Sequence, residues 1–488
     1  MVYGDQKNQD PFFTPIPGEK TIYLNYSNAL LSNMLLEFIN RENELHMLEE
    51  RYTSSKPEFF IIYGRRRIGK TELLTQFAKD KPHFYFLARK EPIELEAERF
   101  RKKFAETFNI YLEETTDFEK IFTQIITKID LTKKFIFLID EFPYLIEAHE
   151  PILSIFQQLW DEHLNKKNIF LILNGSSVSM METHVLGYKS PLYGRRTGQL
   201  KIEPVPLHQL KKFLPQYTTE EILHTYGAVG AIPFYLNEFN SKKSFLQNIQ
   251  DTFFNKSNIL YQDAEILLKE ELREPNTYFN ILKTMIDGAT KLSEIASKSF
   301  IDITNINKYI TVLENLKLVR KEYPITQPFK QRNFIYKIDD NYFRFWLSYV
   351  YPYKEEIEEK PASVLQKIKT EYPTYMGPIF EDAARKHIKK ITTIDFTKLG
   401  KWWYKDQEID LVALNENTKE IVFFECKWKN LRYTQSLTIL KELQEKAESV
   451  EWQNKKRTEH YGLIAKTIER KNDLRKQGFY VYDLEDWM

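Results

Sequence analysis

From Phe59 onward, short uninterrupted apolar runs alternate with stretches in which apolar positions recur at helical spacing. Phe59-Phe60-Ile61-Ile62-Tyr63 and Phe135-Ile136-Phe137-Leu138-Ile139 have the length and β-branched or aromatic content of strands covered on both faces. The pattern predicts strands at 59–63, 83–88, 135–139, 169–173 and 199–203, and helices over 70–79, 95–108, 117–129 and 151–164. Strands separated by crossover helices imply a mostly parallel sheet with right-handed connections, so the fold class is α/β in this part of the chain. A helix carrying Leu45, Leu48 and Tyr52 leads into it, and the layer ends near residue 205.

Beyond that point the period changes. Residues 206–275 read as helical, with Gly227, Gly230 and Pro233 marking a corner. Ile281, Leu282, Met285 and Ile286, then Leu292, Ile295 and Ala296, then Ile306, Ile310, Leu313 and Leu316 are three helical stripes before a basic strand-like piece, Leu318 to Lys321. This is the order of a winged helix-turn-helix over 276–340, with Thr304, Asn305, Asn307 and Lys308 on the exposed face of its third helix. Linker helices and a charged connection occupy 341–375, and mixed α/β patterning returns over 376–488. With 36–205 as the first layer and 206–275 as a helical lid, residues 1–35 form an extension, polar and proline-containing, without the basic start and apolar block of a signal peptide.

Composition narrows the partners rather than naming them. Lys+Arg 70 against Asp+Glu 69 leaves a net charge of +1, so any basic surface for nucleic acid must be local. The single cysteine excludes an internal disulfide and a cysteine-based zinc site, which fits a reducing, cytoplasmic setting. Apolar runs are far shorter than the ~20 residues of a membrane span. Many of the 29 Tyr and 35 Phe sit in predicted strands, and most are expected to be large core side chains.

Two groups of residues carry chemistry. Gly64-Arg65-Arg66-Arg67-Ile68-Gly69-Lys70-Thr71 fits G-x-x-x-x-G-K-[ST] directly after an apolar strand, the setting in which backbone N–H groups cradle phosphates. Lys70 is then expected on the β- and γ-phosphates of ATP and the Thr71 hydroxyl on Mg²⁺. Asp140 and Glu141 end the apolar strand before them, where Asp140 suits the Mg²⁺ shell and Glu141 the attacking water. An Asp-Glu pair after a strand also serves as a helix N-cap, and the upstream phosphate loop favours the catalytic assignment. The small polar groups of Asn174-Gly175-Ser176-Ser177, after the strand at 169–173, are placed to sense the γ-phosphate; Arg195 and Arg196 are candidates for a charge-stabilising arginine.

Near the end, Glu408 to Leu414 and Ile421 to Trp428 read as two strands of an antiparallel hairpin. Alternation puts Glu425 and Lys427 on one face and Cys426 on the other, with Asp410 able to converge from the neighbouring strand. Two carboxylates and a carbonyl make an oxygen-rich site for Mg²⁺ or Mn²⁺, and Lys427 is suited to positioning water; upstream, Gly377-Pro378 is expected to start a helix on which Glu381 is a candidate third acid.

With these motifs in view the chain resembles the archaeal-type ATPase family, whose members join an AAA-like/STAND P-loop ATPase to a winged helix and a restriction-endonuclease-like PD-(D/E)xK domain. The matching segments include Tyr63 through Thr71, Leu138 through Phe142, Gly175 through Ser177, Leu192 through Arg196, Gly230 through Leu236 and Tyr336 through Trp346. Further on come Gly377 through Glu381, Lys401-Trp402-Trp403, Glu408-Ile409-Asp410 and Glu425-Cys426-Lys427-Trp428. The resemblance implies ATP and Mg²⁺ binding, a helical lid and a nuclease-like fold; Ile409-Asp410 stands where the family pattern has a proline before the acid. The expected function is ATP hydrolysis coupled to nucleic-acid binding, DNA before RNA, with Mg²⁺-dependent cleavage. The alternative is a nucleotide-dependent switch, a possible homo-oligomer, whose last domain binds without cutting. A third reading is a DNA-binding regulator acting through residues 276–322.

Overall fold

A computed structural model describes residue 39 and residues 41–272, 274–326 and 333–487; the extension at 1–35 lies outside the described residues. Five parallel strands, β1 (Glu58–Tyr63), β2 (His83–Leu87), β3 (Phe135–Asp140), β4 (Ile169–Gly175) and β5 (Gly198–Lys201), stand in the order β2-β3-β4-β1-β5. Every residue of β1, β3 and β4 is buried, as strands flanked by helices on both faces require. One face is packed by phenylalanines, Phe84, Phe100, Phe104, Phe122 and Phe137 among them, with ring centroids 4.7 to 6.2 Å apart for the pairs they form on Phe84, Phe104 and Phe122. The other face packs Phe60 and Ile62 against Leu73, Leu74 and Phe77 of the helix Lys70–Ala78. Many of the described aromatic residues are therefore core, on helices (Phe100, Phe104, Phe122) as well as on strands. The predicted helix over 151–164 divides into Ile152–Gln158 and a wider π turn, Leu159–Leu164.

Helices Thr219–Val229, Pro233–Leu236, Phe245–Thr252 and Ile259–Glu271 follow, the first and third opened by capping boxes on Thr218 and Ser244. Helices Pro275–Ile286, Leu292–Ser299 and Ile303–Asn315 then lead to the antiparallel pair β6 (Val319–Glu322) and β7 (Ile335–Ile338). Thr304, Asn305, Asn307 and Lys308 are exposed on the third of these helices.

One expectation needs correcting. Gly377-Pro378 does not begin a helix but lies inside a 31-residue helix, Pro361–Ile391, which also contains Pro373. An internal proline removes a hydrogen bond to the carbonyl four residues back. Lys369 and Thr374, whose carbonyls are freed in this way, are exposed, so water can replace the lost donors. Buried Tyr372, Met376, Ile379 and Phe380 hold the opposite face in register. The last sheet, in the order β12-β11-β10-β9-β8, comprises β8 (Lys398–Tyr404), β9 (Gln407–Asn415), β10 (Glu420–Leu431), β11 (Thr458–Ile468) and β12 (Tyr480–Tyr482). Strands β8, β9 and β10 run antiparallel in turn, while β11 returns parallel to β10 after the crossover helix Tyr433–Ala447. Among the described residues, no helix is long and apolar enough to cross a membrane.

Candidate functional site

The phosphate loop leaves the carboxyl end of β1 between β4 and β5, where the ends of the strands gather polar groups. A Cβ at Gly64 would meet the Ile202 carbonyl oxygen at 2.5 Å, so a side chain there would push the loop off the sheet. Gly69 caps the following helix with φ 89°, the left-handed region that favours glycine. Lys70 is 5% exposed, and its ammonium donates to the carbonyls of Gly64 and Arg65 and to Ser176 Oγ, each at 2.9 Å. Asp140 Oδ2 accepts from Thr71 Oγ1 and Tyr85 OH, both at 2.8 Å, and its Oδ1 from Asn174 Nδ2 and the Glu141 N–H. Glu141 adopts φ 53°, a strained setting for a residue with a side chain, and accepts from Ser176 Oγ at 2.6 Å. Lys70, Thr71, Asp140, Glu141 and Ser176 thus form one connected network across three strand ends.

The second cluster stands on β8, β9 and β10. Asp410 Oδ2 accepts from the Cys426 N–H at 2.9 Å and from Lys427 Nζ at 3.3 Å, while Lys427 Nζ also reaches Glu425 Oε2 at 2.6 Å. Glu425 Oε1 accepts from Lys446 Nζ, on the crossover helix, at 2.6 Å. Glu381, on the long helix, joins through Lys401, whose Nζ lies 3.1 Å from Glu381 Oε2, 3.1 Å from Glu408 Oε2 and 4.0 Å from Asp410 Oδ1. Burial and the neighbouring Asp410 push the Glu425 carboxyl up to about 7. Burial also works against ionised Asp410, but the hydrogen bond with Glu425 and the charge of Lys427 outweigh it and hold the group below its ordinary range. Two acids that divide a charge in this way are a pair that a divalent cation would relieve.

Residues 38–239 match the family model of an ATPase domain predominantly from Archaea, and residues 346–439 match one for archaeal and bacterial proteins of unknown function. An uncharacterised protein of Methanocaldococcus jannaschii is 35% identical over 455 residues, 92% of this chain and 100% of the relative. The chain belongs to this archaeal-type ATPase family. An uncharacterised ATP-binding protein of the same organism is 43% identical over 47 residues, 10% of this chain and 80% of that protein. Among solved structures, the Walker-type ATPase of Pyrococcus abyssi covers 64% of this chain and 96% of its own at 20% identity and a TM-score of 0.47. The ORC2 protein of Aeropyrum pernix, in ADPNP–ADP complexes, covers 66% and 95% at 13% identity and a TM-score of 0.44.

In this archaeal-type ATPase, not every predicted residue joins the network. Arg195 Nε and Nη2 lie 3.2 Å from Asp161 Oδ2, and Nη1 binds the carbonyls of Pro191 and Tyr193. None of these partners belongs to the phosphate loop. Arg196 lies over the Tyr193 ring, 5.4 Å from its centroid. The loop's own arginines instead reach far along the chain. Arg65 pairs with Asp340, Arg66 with Glu270 and Glu271, and Arg67 with Asp263. Sequence reading also gave no role to Tyr85, Lys401, Glu408 or Lys446. No local spacing marks them, because separate strands or a crossover helix deliver them.

Burial draws the Lys70 ammonium down to about 8, and the charges of Glu141 and Asp140 only partly oppose that. A triphosphate bound against this ammonium would favour the charged form and raise this value again. Above about pH 8, ATP binding is therefore expected to take up close to one proton at Lys70, and affinity to weaken as pH rises. At pH 7 the lysine is already protonated and contributes no uptake. Calorimetry at about pH 9 in buffers of different ionisation enthalpy measures the proton count; a count near zero removes Lys70 from the phosphate site.

Proposed function

We propose that this ATPase couples ATP turnover to the handling of nucleic acid, DNA before RNA, and that its C-terminal domain cuts phosphodiester bonds. The observation that carries the reading is the convergence of Asp410, Glu425 and Lys427, with Glu381 and Lys401 behind them, on one largely buried cluster. Ionised carboxylates are costly to bury unless paired or bound to metal. Asp410 and Glu425 are the residues that would hold Mg²⁺ or Mn²⁺, which would supply Lewis acidity at phosphorus when bound. Lys427 orients the attacking water or steadies the charge that develops on the phosphate. At the ATP site, Thr71 and Asp140 offer adjoining oxygens that fit Mg²⁺, Lys70 binds the β- and γ-phosphates, and Glu141 takes the proton of the attacking water while Ser176 fixes its carboxylate. The exposed polar residues Thr304, Asn305, Asn307 and Lys308 are the face offered to DNA. The test is a cleavage assay on DNA and RNA with Mg²⁺ or Mn²⁺ and ATP, comparing the unaltered chain with Glu425→Ala and Lys70→Ala. Intact substrates under every condition sink the nuclease half.

A second reading, a nucleotide-dependent switch that assembles with copies of itself, draws on the pairing of all three loop arginines with acids of the lid and winged helix. A loop tied this way is suited to pass its nucleotide state to those helices. Light scattering of the ADP and ATP forms tests it. A mass that changes with nucleotide while cleavage is absent favours the switch, and an unchanging mass removes it.

A further inference from the structure

Arg66 stands on the Glu141 side of the phosphate loop. Its Nη2 donates to Tyr144 OH, and Tyr144 lies one turn after Glu141, with its N–H on the Glu141 carbonyl at 2.9 Å. Lys70 Nζ and Glu141 Oε1 both meet Ser176 Oγ, at 2.9 and 2.6 Å. A cleft lined by Arg65, Arg66, Ser176 and Glu271 among others opens beside the loop. The three loop arginines differ in what holds them. Arg65 and Arg67 pair with Asp340 and Asp263, whose side chains are 2% and 0% exposed, and freeing either would strand a buried carboxylate. Arg66 pairs with Glu270 and Glu271, which are 50% and 26% exposed at the end of the helix Ile259–Glu271. Its release costs less than that of Arg65 or Arg67, because water can reach both glutamates.

We propose that Arg66 is the charge-stabilising arginine of ATP hydrolysis, supplied in cis by the phosphate loop and held in reserve by Glu270 and Glu271. In the reaction the water oxygen bonds to the γ-phosphorus, the bond to the β–γ bridging oxygen breaks, and ADP leaves with the electron pair. The water proton passes to Glu141 and then to the products. Arg66 makes and breaks no covalent bond; its guanidinium matches the charge spread over the γ-phosphate oxygens in the transition state. Arg195, engaged by Asp161, is thereby relieved of that role. Glu270 and Glu271 precede the winged helix directly, so a shift of that helix pair frees Arg66 and raises turnover. The inference rests on the assignment of Lys70 and Glu141 to the γ-phosphate proposed above.

The experiment is steady-state ATP hydrolysis by the full chain with Mg²⁺ and no nucleic acid. Arg66→Ala is expected to lower kcat about 100-fold or more, with affinity for a non-hydrolysable ATP analogue within about threefold and trapping of ADP–aluminium fluoride lost. Arg66→Lys, which keeps the charge without the fork, is expected to stay well below the unaltered chain and guards against misfolding of the alanine variant. Glu270→Gln with Glu271→Gln is expected to raise kcat severalfold, and to raise nothing when combined with Arg66→Ala. A kcat within about threefold in Arg66→Ala, or an affinity loss as large as the rate loss, overturns the role of Arg66. A glutamine pair no faster than the unaltered chain overturns the restraint. Loss of hydrolysis in Glu141→Gln but not in Arg66→Ala sinks this inference alone; no loss in either sinks the site assignment with it.

Discussion

Lys70→Ala is expected to lower ATP hydrolysis by about three orders of magnitude and to remove measurable ATP binding at micromolar concentrations. All three protons of the ammonium are engaged, by two loop carbonyls and Ser176, and these are the contacts a phosphate would share or replace. Alanine leaves Ser176 bound to Glu141 but without its direct link to the loop, whose remaining tie to the network is Thr71 on Asp140. The fold itself should tolerate the change. Lys70 is a buried cation whose protonation burial already disfavours, so its removal relieves a desolvation cost while losing three hydrogen bonds. Phosphate release and fluorescent-nucleotide titration measure the two losses, and a thermal melt within a few degrees of the unaltered chain assigns them to the site. Hydrolysis reduced by less than about tenfold would remove Lys70 from the phosphates.

The parts legible in the sequence are those whose signal is local. Strand β1 and the phosphate loop are contiguous, Asp140 and Glu141 end one apolar run, and the β9–β10 hairpin declares itself by alternation around a polar turn. What stayed hidden depends on distant segments meeting. Arg65 finds Asp340 across 275 residues and Arg66 finds Glu270 across 204, and no spacing rule connects such positions. A near-zero net charge hides the same fact, since each loop arginine is cancelled by an acid elsewhere. Lys446 comes to Glu425 only because the crossover helix returns over the hairpin. The long helix misleads for a different reason. Pro373 and Pro378 are ordinary stop signals, and only their placement on the wet face lets the helix run through them.

Lys427→Ala is expected to abolish phosphodiester cleavage, a loss of about 100-fold or more, while ATP hydrolysis stays within about twofold. Among the described residues Lys427 alone bridges the two acids, at 2.6 Å from Glu425 and 3.3 Å from Asp410. Without it, Lys446 still holds Glu425, Lys401 still faces Asp410 and Glu381, and the Cys426 N–H still binds Asp410. The carboxylates therefore keep their places, and the strands should remain folded. Removing one competing cation also leaves Asp410 and Glu425 more available, so Mn²⁺ affinity is expected to hold or rise. That divergence separates two roles for the lysine. If Lys427 only neutralises its neighbours, tighter metal binding should preserve or speed cutting; if it acts on the water or the phosphate, metal binding and cutting part company. Nicking of supercoiled DNA with Mn²⁺, run beside metal titration and ATP turnover on the same preparation, reads all three, and undiminished nicking by Lys427→Ala would strip the residue of a direct part in the chemistry.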